Sequence, residues 1–311
     1  DVLIMSENAE LFLTAPFISA ANGDTAEDAG SAKAAQSAGV ASIVKADEDE
    51  ALACARKVLT MLPQNNLASL PLFDFAESGV SVDAEGCPKD VVAAVADADS
   101  LVELYAGYAN SMYTFLGTVA GATTGFVTTS KNNPIDANGC DKTARFVKMC
   151  DAFNIPVVTF VNSEGFVKDA NVSVVKDAVR LAGAYAEATT PKISILSGKA
   201  FGPAYLALGS KNANADVTIA WPQAVISALD PKTAVEFLWA DRFKGTEDVK
   251  ATREALREEF ENTVASPFTA AADGHVEAVI APEETRKALI NLLDMLAGKR
   301  ESTLPKKHMT F

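Results

Sequence analysis

Histidine is almost missing from this 311-residue chain: only His275 and His308 occur, and chemistry that depends on an imidazole is not expected. Cysteine is nearly as sparse. Cys54, Cys87, Cys140 and Cys150 have no CxxC spacing and do not cluster with either histidine, which argues against a zinc or other metal site and against a disulfide framework. Reduced, mostly buried thiols are expected instead. Basic residues are outnumbered, 27 Lys and Arg against 41 Asp and Glu for a net charge of −14, and they are scattered. The basic stripe of a nucleic-acid surface is therefore absent, as is the cationic patch that anionic membranes attract. No apolar run approaches the ~18–20 residues of a membrane span, and DVLIMSENAE lacks the basic start of a secretory signal, so a cytoplasmic protein is expected. The chain opens on Asp1 and at once on an apolar VLIM segment that reads like the middle of a domain, which predicts a piece of a longer chain.

Hydrophobic residues make up 49% of the chain, enough for a sizeable core in one large or two ordinary domains. Residues 1–62 alternate strand-like pieces (Val2–Met5, Leu11–Thr14, Val40–Val44) with alanine-rich helical ones. In the last, Glu48–Leu62, residues Leu52, Ala55, Val58, Leu59 and Leu62 recur at helical spacing behind the acidic start Asp47-Glu48-Asp49-Glu50, which complements the helix dipole. A polar stretch bearing Pro and Gly follows and reads as a linker over 67–90. Beyond it the pattern predicts a helix near Pro88–Ala96 and antiparallel strands around a turn at Gly121–Thr124. Helices are predicted over Lys142–Phe153 with Asp141 as cap, Asn171–Ala188, Pro231–Ala240, Thr246–Asn262 and Pro282–Ala297. His275 lies in a turn before an expected strand Val276–Ile280, and Asp136 and Asp151 read as turn and surface residues.

Lys192–Leu208, KISILSGKAFGPAYLAL, is the most informative stretch. A β-branched run breaks at Ser197-Gly198, and Gly202-Pro203-Ala204-Tyr205 opens a helical segment. A strand that stops at a small-residue turn and feeds a helix aims unpaired N–H groups at the adjoining crevice, a place suited to an anion or a developing oxyanion. Ile155–Phe166 and Asp216–Ile226 repeat the layout, so a layered α/β body with its turns gathered on one side is expected.

These segments carry a likeness. FVKMCDAFNIPVVTFVNSEGF, YAEATTPKISILSGKAFGPAYLAL, ADVTIAWPQAVI and the tail ASPFTAAADGHVEAVIAPEETR…LPKKH stand in the order and spacing of the acyl-CoA carboxyltransferase subunits of biotin-dependent enzymes, and the chain resembles that family over essentially its whole length. The resemblance implies a crotonase-like (ClpP/crotonase) α/β fold of stacked β-β-α units. Residues 1–66 would be the closing part of an N-terminal crotonase-like domain and 91–311 a complete C-terminal one. The first two-thirds of the N-terminal domain, with its own oxyanion hole, would not be in this chain.

The resemblance also implies a reaction: movement of a carboxyl group between biotin on a carrier and a short-chain acyl-CoA such as propionyl- or methylmalonyl-CoA, in either direction. Oxyanions of the thioester and of the biotin ureido group would be held by backbone N–H donors rather than by ionisable side chains. A biotin carboxyl carrier protein is the implied partner, with a biotin carboxylase or a membrane decarboxylase pump subunit beside it, in a dimer-based homo-oligomer that extends to a hexamer. The family's Gly-Ala hole falls here on Pro203-Ala204, with Gly202 beside it. Proline has no N–H, so one donor of the pair is missing at the matching position. Gly165, Phe166, Phe201, Tyr205, Leu206 and Trp221 are the implied substrate- and biotin-binding residues, Leu206 standing where the family tunes acyl-chain preference.

Blander readings stand beside these. Gly202-Pro203-Ala204 also suits a plain strand-to-helix turn, Gly165-Phe166 plain turn packing, and Trp221 core at a strand end. Lys199 reads as a solvated lysine or as a group that steers a carboxylate. Glu164, beside a hole for anions, is expected to turn outward or to be hydrogen-bonded, and carries no assigned role. Two rivals from other classes remain: a non-catalytic crotonase-like scaffold, and a biotin-independent acyl-CoA hydratase or isomerase for which Glu164 is the sole carboxylate on offer among the turns.

Overall fold

Apolar residues alternating with period two build the centre of the protein. In the computed structural model, which describes residues 2–299 apart from 24–29, 66–67, 169–171, 212–214, 245 and 247, Val157 and Val161 face one side of a sheet while Val158 and Phe160 face the other. Asp1, Asn66, Asp169, Asn171 and His308 lie outside the described residues.

The N-terminal part holds β1 (Ile4–Ser6), α1 (Pro16–Ala21), α2 (Ala32–Ser37), β2 (Ile43–Lys45) and α3 (Glu48–Met61). β1 and β2 pair in parallel, Ile4 opposite Ile43 and Ser6 opposite Lys45. Next come α4 (Pro88–Val95), β3 (Val102–Leu104), β4 (Met112–Val119), β5 (Ala122–Thr129), α5 (Ala137–Ala152), β6 (Val157–Ser163), α6 (Ser173–Glu187), β7 (Lys192–Phe201) and α7 (Gly202–Leu208). The chain continues through β8 (Val217–Ala220), β9 (Val225–Ser227), α8 (Pro231–Leu238), α9 (Val249–Asn262), α10 (Pro267–Ala272), β10 (Ala278–Val279) and α11 (Thr285–Leu296). The main sheet runs β10-β8-β7-β6-β5-β4-β3, with β9 on β7; it is antiparallel across β3-β4-β5 and parallel from β5 to β10. Helices α3, α5, α6 and α7 bury Met61, Phe146, Leu181 and Leu208 on one face, and α4 and α11 bury Val92 and Leu289 on the other. Each such side chain contributes about 1.5–3 kcal/mol. The parallel pair β1–β2 followed by α3 recurs as β8–β10 followed by α11, with Ile219 opposite Ala278.

Several boundaries differ from the sequence reading, each for a local reason. α5 begins five residues early because Asp136, not Asp141, caps it: Asp136 Oδ1 accepts from the Gly139 N–H (2.7 Å) and the Ser111 hydroxyl (2.6 Å). Asp141 instead pairs with Arg145 and Arg180, and Asp151 accepts from the N–H groups of Thr189 and Thr190. The β4–β5 turn is Ala120-Gly121, both at positive φ, a two-residue hairpin of the primed type, so Ala122–Thr124 already belong to a strand. Leu11–Thr14 form no strand. α3 starts on its acidic cap as expected, yet it buries Cys54, Val58 and Met61 and leaves Leu52 and Leu59 exposed. All four cysteines are free thiols, three of them buried, and burial pushes the Cys140 thiol up to about 12. No helix of the described residues is long and apolar enough to cross a membrane.

Asp97, its side chain 2% exposed, closes the body. Oδ1 accepts from the Ala120 N–H (3.0 Å) and Arg286 Nη2 (2.6 Å), while Oδ2 accepts from the Gly121 N–H (2.8 Å) and the Thr118 hydroxyl (2.6 Å). Burial raises its pKa, but the bonds from Thr118, Arg286, Gly121 and Ala120 outweigh burial and hold the carboxyl below its ordinary 3.8. The native state thus binds fewer protons than the unfolded chain at acid pH. This stabilisation is fully present above 3.8 and fades as pH falls through the lower native value.

Asp97→Asn is expected to cost about 3 kcal/mol at pH 7 by urea unfolding, and the gap to the parent should narrow below about pH 4; a gap independent of pH would contradict the account. Asp136→Ala should lower stability by about 1–2 kcal/mol through the lost α5 cap, measured the same way at pH 7.

Candidate functional site

Parallel pairing places Val158 opposite Ile193 and Ile193 opposite Val217, so β6, β7 and β8 end along one edge of the sheet. What happens at that edge is set by two small residues. At Gly198 a side chain would stand 2.4 Å from the Asn162 side chain, which fills the space. Asn162 is fixed in turn, its N–H donating to Thr129 Oγ1 (2.8 Å) and its Oδ1 accepting from the Lys199 N–H (3.1 Å). The β6–β7 register slips between Val161 and Ser163 as a result, and the last residues of β7 take β9 as a new neighbour, Lys199 opposite Val225 and Phe201 opposite Ser227.

Gly202 then turns the chain. Its φ of +50° is left-handed, and a Cβ would meet the Ala228 carbonyl oxygen at 3.1 Å, so both backbone and space favour glycine. Pro203 is exposed in the first turn of α7, and Ala204 is fully buried. First-turn amides have no carbonyl inside the helix to receive them; here Pro203 has none and Ala204 has one. Phe201 is nearly buried, Tyr205 is half-buried and Leu206 is 55% exposed. Burial raises the Tyr205 pKa, partly offset by a hydrogen bond with Ser210.

The β6 turn lies alongside. Gly165 has φ +124° and open space where a side chain would stand. Its N–H donates to Ser163 Oγ (3.2 Å) and its carbonyl accepts from the Ile135 N–H (3.0 Å), so that amide is engaged within the protein. Phe166, Ala204 and Tyr205 share one hydrophobic cluster. Trp221 does not join them. It is fully buried in the cluster on the opposite face of the sheet, and its Nε1 donates to Thr285 Oγ1 (2.9 Å). His275 is exposed in the turn before β10, its N–H donating to the Ala270 carbonyl (2.8 Å).

Two features went unassigned in the sequence: Asn162 as the brace over Gly198, and a pair between Glu164 Oε1 and Lys199 Nζ at 2.5 Å on the rim. The Lys199 hydrogen bond and charge hold the Glu164 carboxyl below its usual value. Opposite charges at the ends of two adjacent strands were the available signal for that pair.

The model of the carboxyl transferase domain family matches residues 1–311. The alpha subunit of methylmalonyl-CoA decarboxylase from Veillonella parvula is 36% identical, the alignment covering 99% of this chain and 64% of that protein. The biotin-dependent acetyl-/propionyl-coenzyme A carboxylase beta5 subunit of Mycobacterium leprae is 33% identical over 99% of this chain and 62% of that one. Among solved structures, transcarboxylase 12S, a hexamer with methylmalonyl-coenzyme A and methylmalonic acid bound, superposes with a TM-score of 0.90 at 33% identity and covers 99% of this chain and 63% of that chain. The chain thus spans somewhat less than two thirds of the length of these relatives. The fold is the crotonase-like carboxyltransferase fold, and the chain belongs to the carboxyl transferase domain family.

Proposed function

We propose that this chain is the greater part of a carboxyltransferase subunit that moves a carboxyl group between biotin on a carrier protein and a short-chain acyl-CoA of the propionyl or methylmalonyl kind. The observation that supports the reading is the bend at 201–204, where a strand end, a left-handed Gly202 and the first turn of α7 follow one another; in this reading the Ala204 amide is the donor at the family's hole. In this reading residues 1–66 close an N-terminal crotonase-like domain, 67–90 link it, and 91–311 form the C-terminal one. The recurrence of β1–β2–α3 as β8–β10–α11 supports that division.

The residues at the bend fit biotin in part. Gly165 leaves open space, Phe166 and Tyr205 offer half-buried aromatic walls, and Leu206 lends an apolar rim. Against this, Pro203 removes one of two N–H donors. Carrier-borne biotin supplies the carboxyl group when it is present. Ala204 N–H donates to the developing oxyanion, Gly202 supplies the left-handed turn that presents that amide, and Phe201 and Tyr205 hold the turn rigid against the core. Trp221 acts through packing alone. The proposed partners are a biotin carboxyl carrier protein, a biotin carboxylase or decarboxylase pump subunit, and further copies of the chain. Four free thiols suit a reducing, cytoplasmic setting. Pro203 is also the one observation that favours the rival reading, a subunit that keeps the fold and has lost the transfer.

Pro203→Gly restores an N–H at the hole. In the full-length protein with a biotinylated carrier it should raise the transfer rate by about 10²-fold, and Ala204→Pro should abolish transfer while circular dichroism stays native. Rates unchanged in both variants would reject the bend as the oxyanion site, and carrier binding with no transfer in any form would establish the scaffold.

A further inference from the structure

Lys199 and Glu164 pair on the rim beside the bend, and two further lysines belong to the adjoining elements. Glu164 leaves the end of β6, Lys168 follows the Gly165 turn, Lys199 stands three residues before Gly202 on β7, and Lys232 opens α8. The Gly202 turn lies against the Ala228 carbonyl, four residues before Lys232, and the charges of Lys168 and Lys232 add in a small way to that of Lys199 in favouring the ionised Glu164 carboxylate. Asp230, at the N-cap of α8, is the acidic neighbour of Lys232 in sequence. In a chain of net charge −14, a lysine at the strand end with Lys168 and Lys232 on the adjoining elements biases this rim toward anions. A carboxylate already occupies it: Glu164 Oε1 lies 2.5 Å from Lys199 Nζ, with the two side chains 69% and 52% exposed.

We propose that Lys199 is the residue that receives the carboxylate of the incoming ligand at this bend, and that Glu164 is a built-in stand-in for that carboxylate which the ligand must displace. The proposal rests on the function proposed above and adds to it a group that distinguishes carboxylated from uncarboxylated ligands. Backbone donors at the hole receive an oxyanion but do not by themselves select a free carboxylate, whereas an ammonium does. Displacement is feasible because an ion pair this exposed is weak. Asn162 fixes the Lys199 backbone, and the side chain above it remains free to exchange partners. Two sources present the same chemistry, the carboxylate of a malonyl-type thioester and that of the carboxylated biotin carrier.

The test uses the full-length protein and titration calorimetry with methylmalonyl-CoA and propionyl-CoA, which differ by one carboxylate, alongside KM for carboxylated carrier. Glu164→Gln should raise the preference for the carboxylated ligand by about two- to fivefold, the range an exposed pair allows. Lys199→Met should erase that preference, and the double variant should match Lys199→Met. A change in the thioester ratio identifies the malonyl carboxylate as the source. A change confined to KM for the carrier identifies carboxylated biotin, and either supports the proposal. Parent protein that binds and turns over while both variants leave both readouts unchanged overturns this proposal and spares the function. Parent protein that neither binds a thioester nor accepts the carrier overturns both.

Discussion

The side chain of Asn162 over the bare Cα of Gly198 is the constraint on which the site depends. It accompanies the register slip, beyond which β7 keeps β6 on one side, Ser163 opposite Ala200, and exchanges β8 for β9 on the other. Only then does Gly202 come against the Ala228 carbonyl and turn α7 back over the face where Phe166, Ala204 and Tyr205 pack together. A strand that continued straight would carry 202–204 out along the sheet edge, away from the β6 turn. The shape of the bend at 202–204 thus follows from how one asparagine fills the space over one glycine on the neighbouring strand.

Elsewhere the fold relies on buried polar ties rather than on apolar packing alone. Lys142 is fully buried in α5 and donates to the carbonyls of Tyr105 and Tyr108, both at 2.9 Å, and burial pushes its pKa down to about 8. That contact anchors a loop in which Tyr105 and Ala109 both adopt positive φ, a conformation costly for residues with side chains. Arg145 stacks over the Tyr105 ring at 4.6 Å and donates to the Gly39 carbonyl at 2.9 Å, joining the N-terminal strands to the larger body. Such ties fix relative placement because a buried donor without its acceptor is expensive.

Much of this was legible beforehand, and the exceptions are instructive. The strand-to-turn units, α4, α8 and the capped start of α3 follow from local rules of periodicity, proline placement and capping, which act within a few residues. The resemblance added the fold. Errors arose where distant residues decided. Asp136 outcompeted Asp141 as a cap because Ser111, in the turn just ahead of β4, donates to it. Leu52 and Leu59 have helical spacing but the buried face of α3 was chosen by what packs on it, and Trp221 went to the far face because Thr285 receives its N–H there. The Glu164–Lys199 pair escaped for the same reason, since its partners are 35 residues apart.

The Asp97–Arg286 contact spans 189 residues of chain. On a translating ribosome adding roughly 5–20 residues each second, the arginine emerges some 10–40 s after the carboxylate that awaits it. Over that interval the carboxylate keeps its hydration, and the apolar side of α4 has no α11 to cover it. Biogenesis therefore includes shielding α4 and the Asp97 carboxylate until α11 is made.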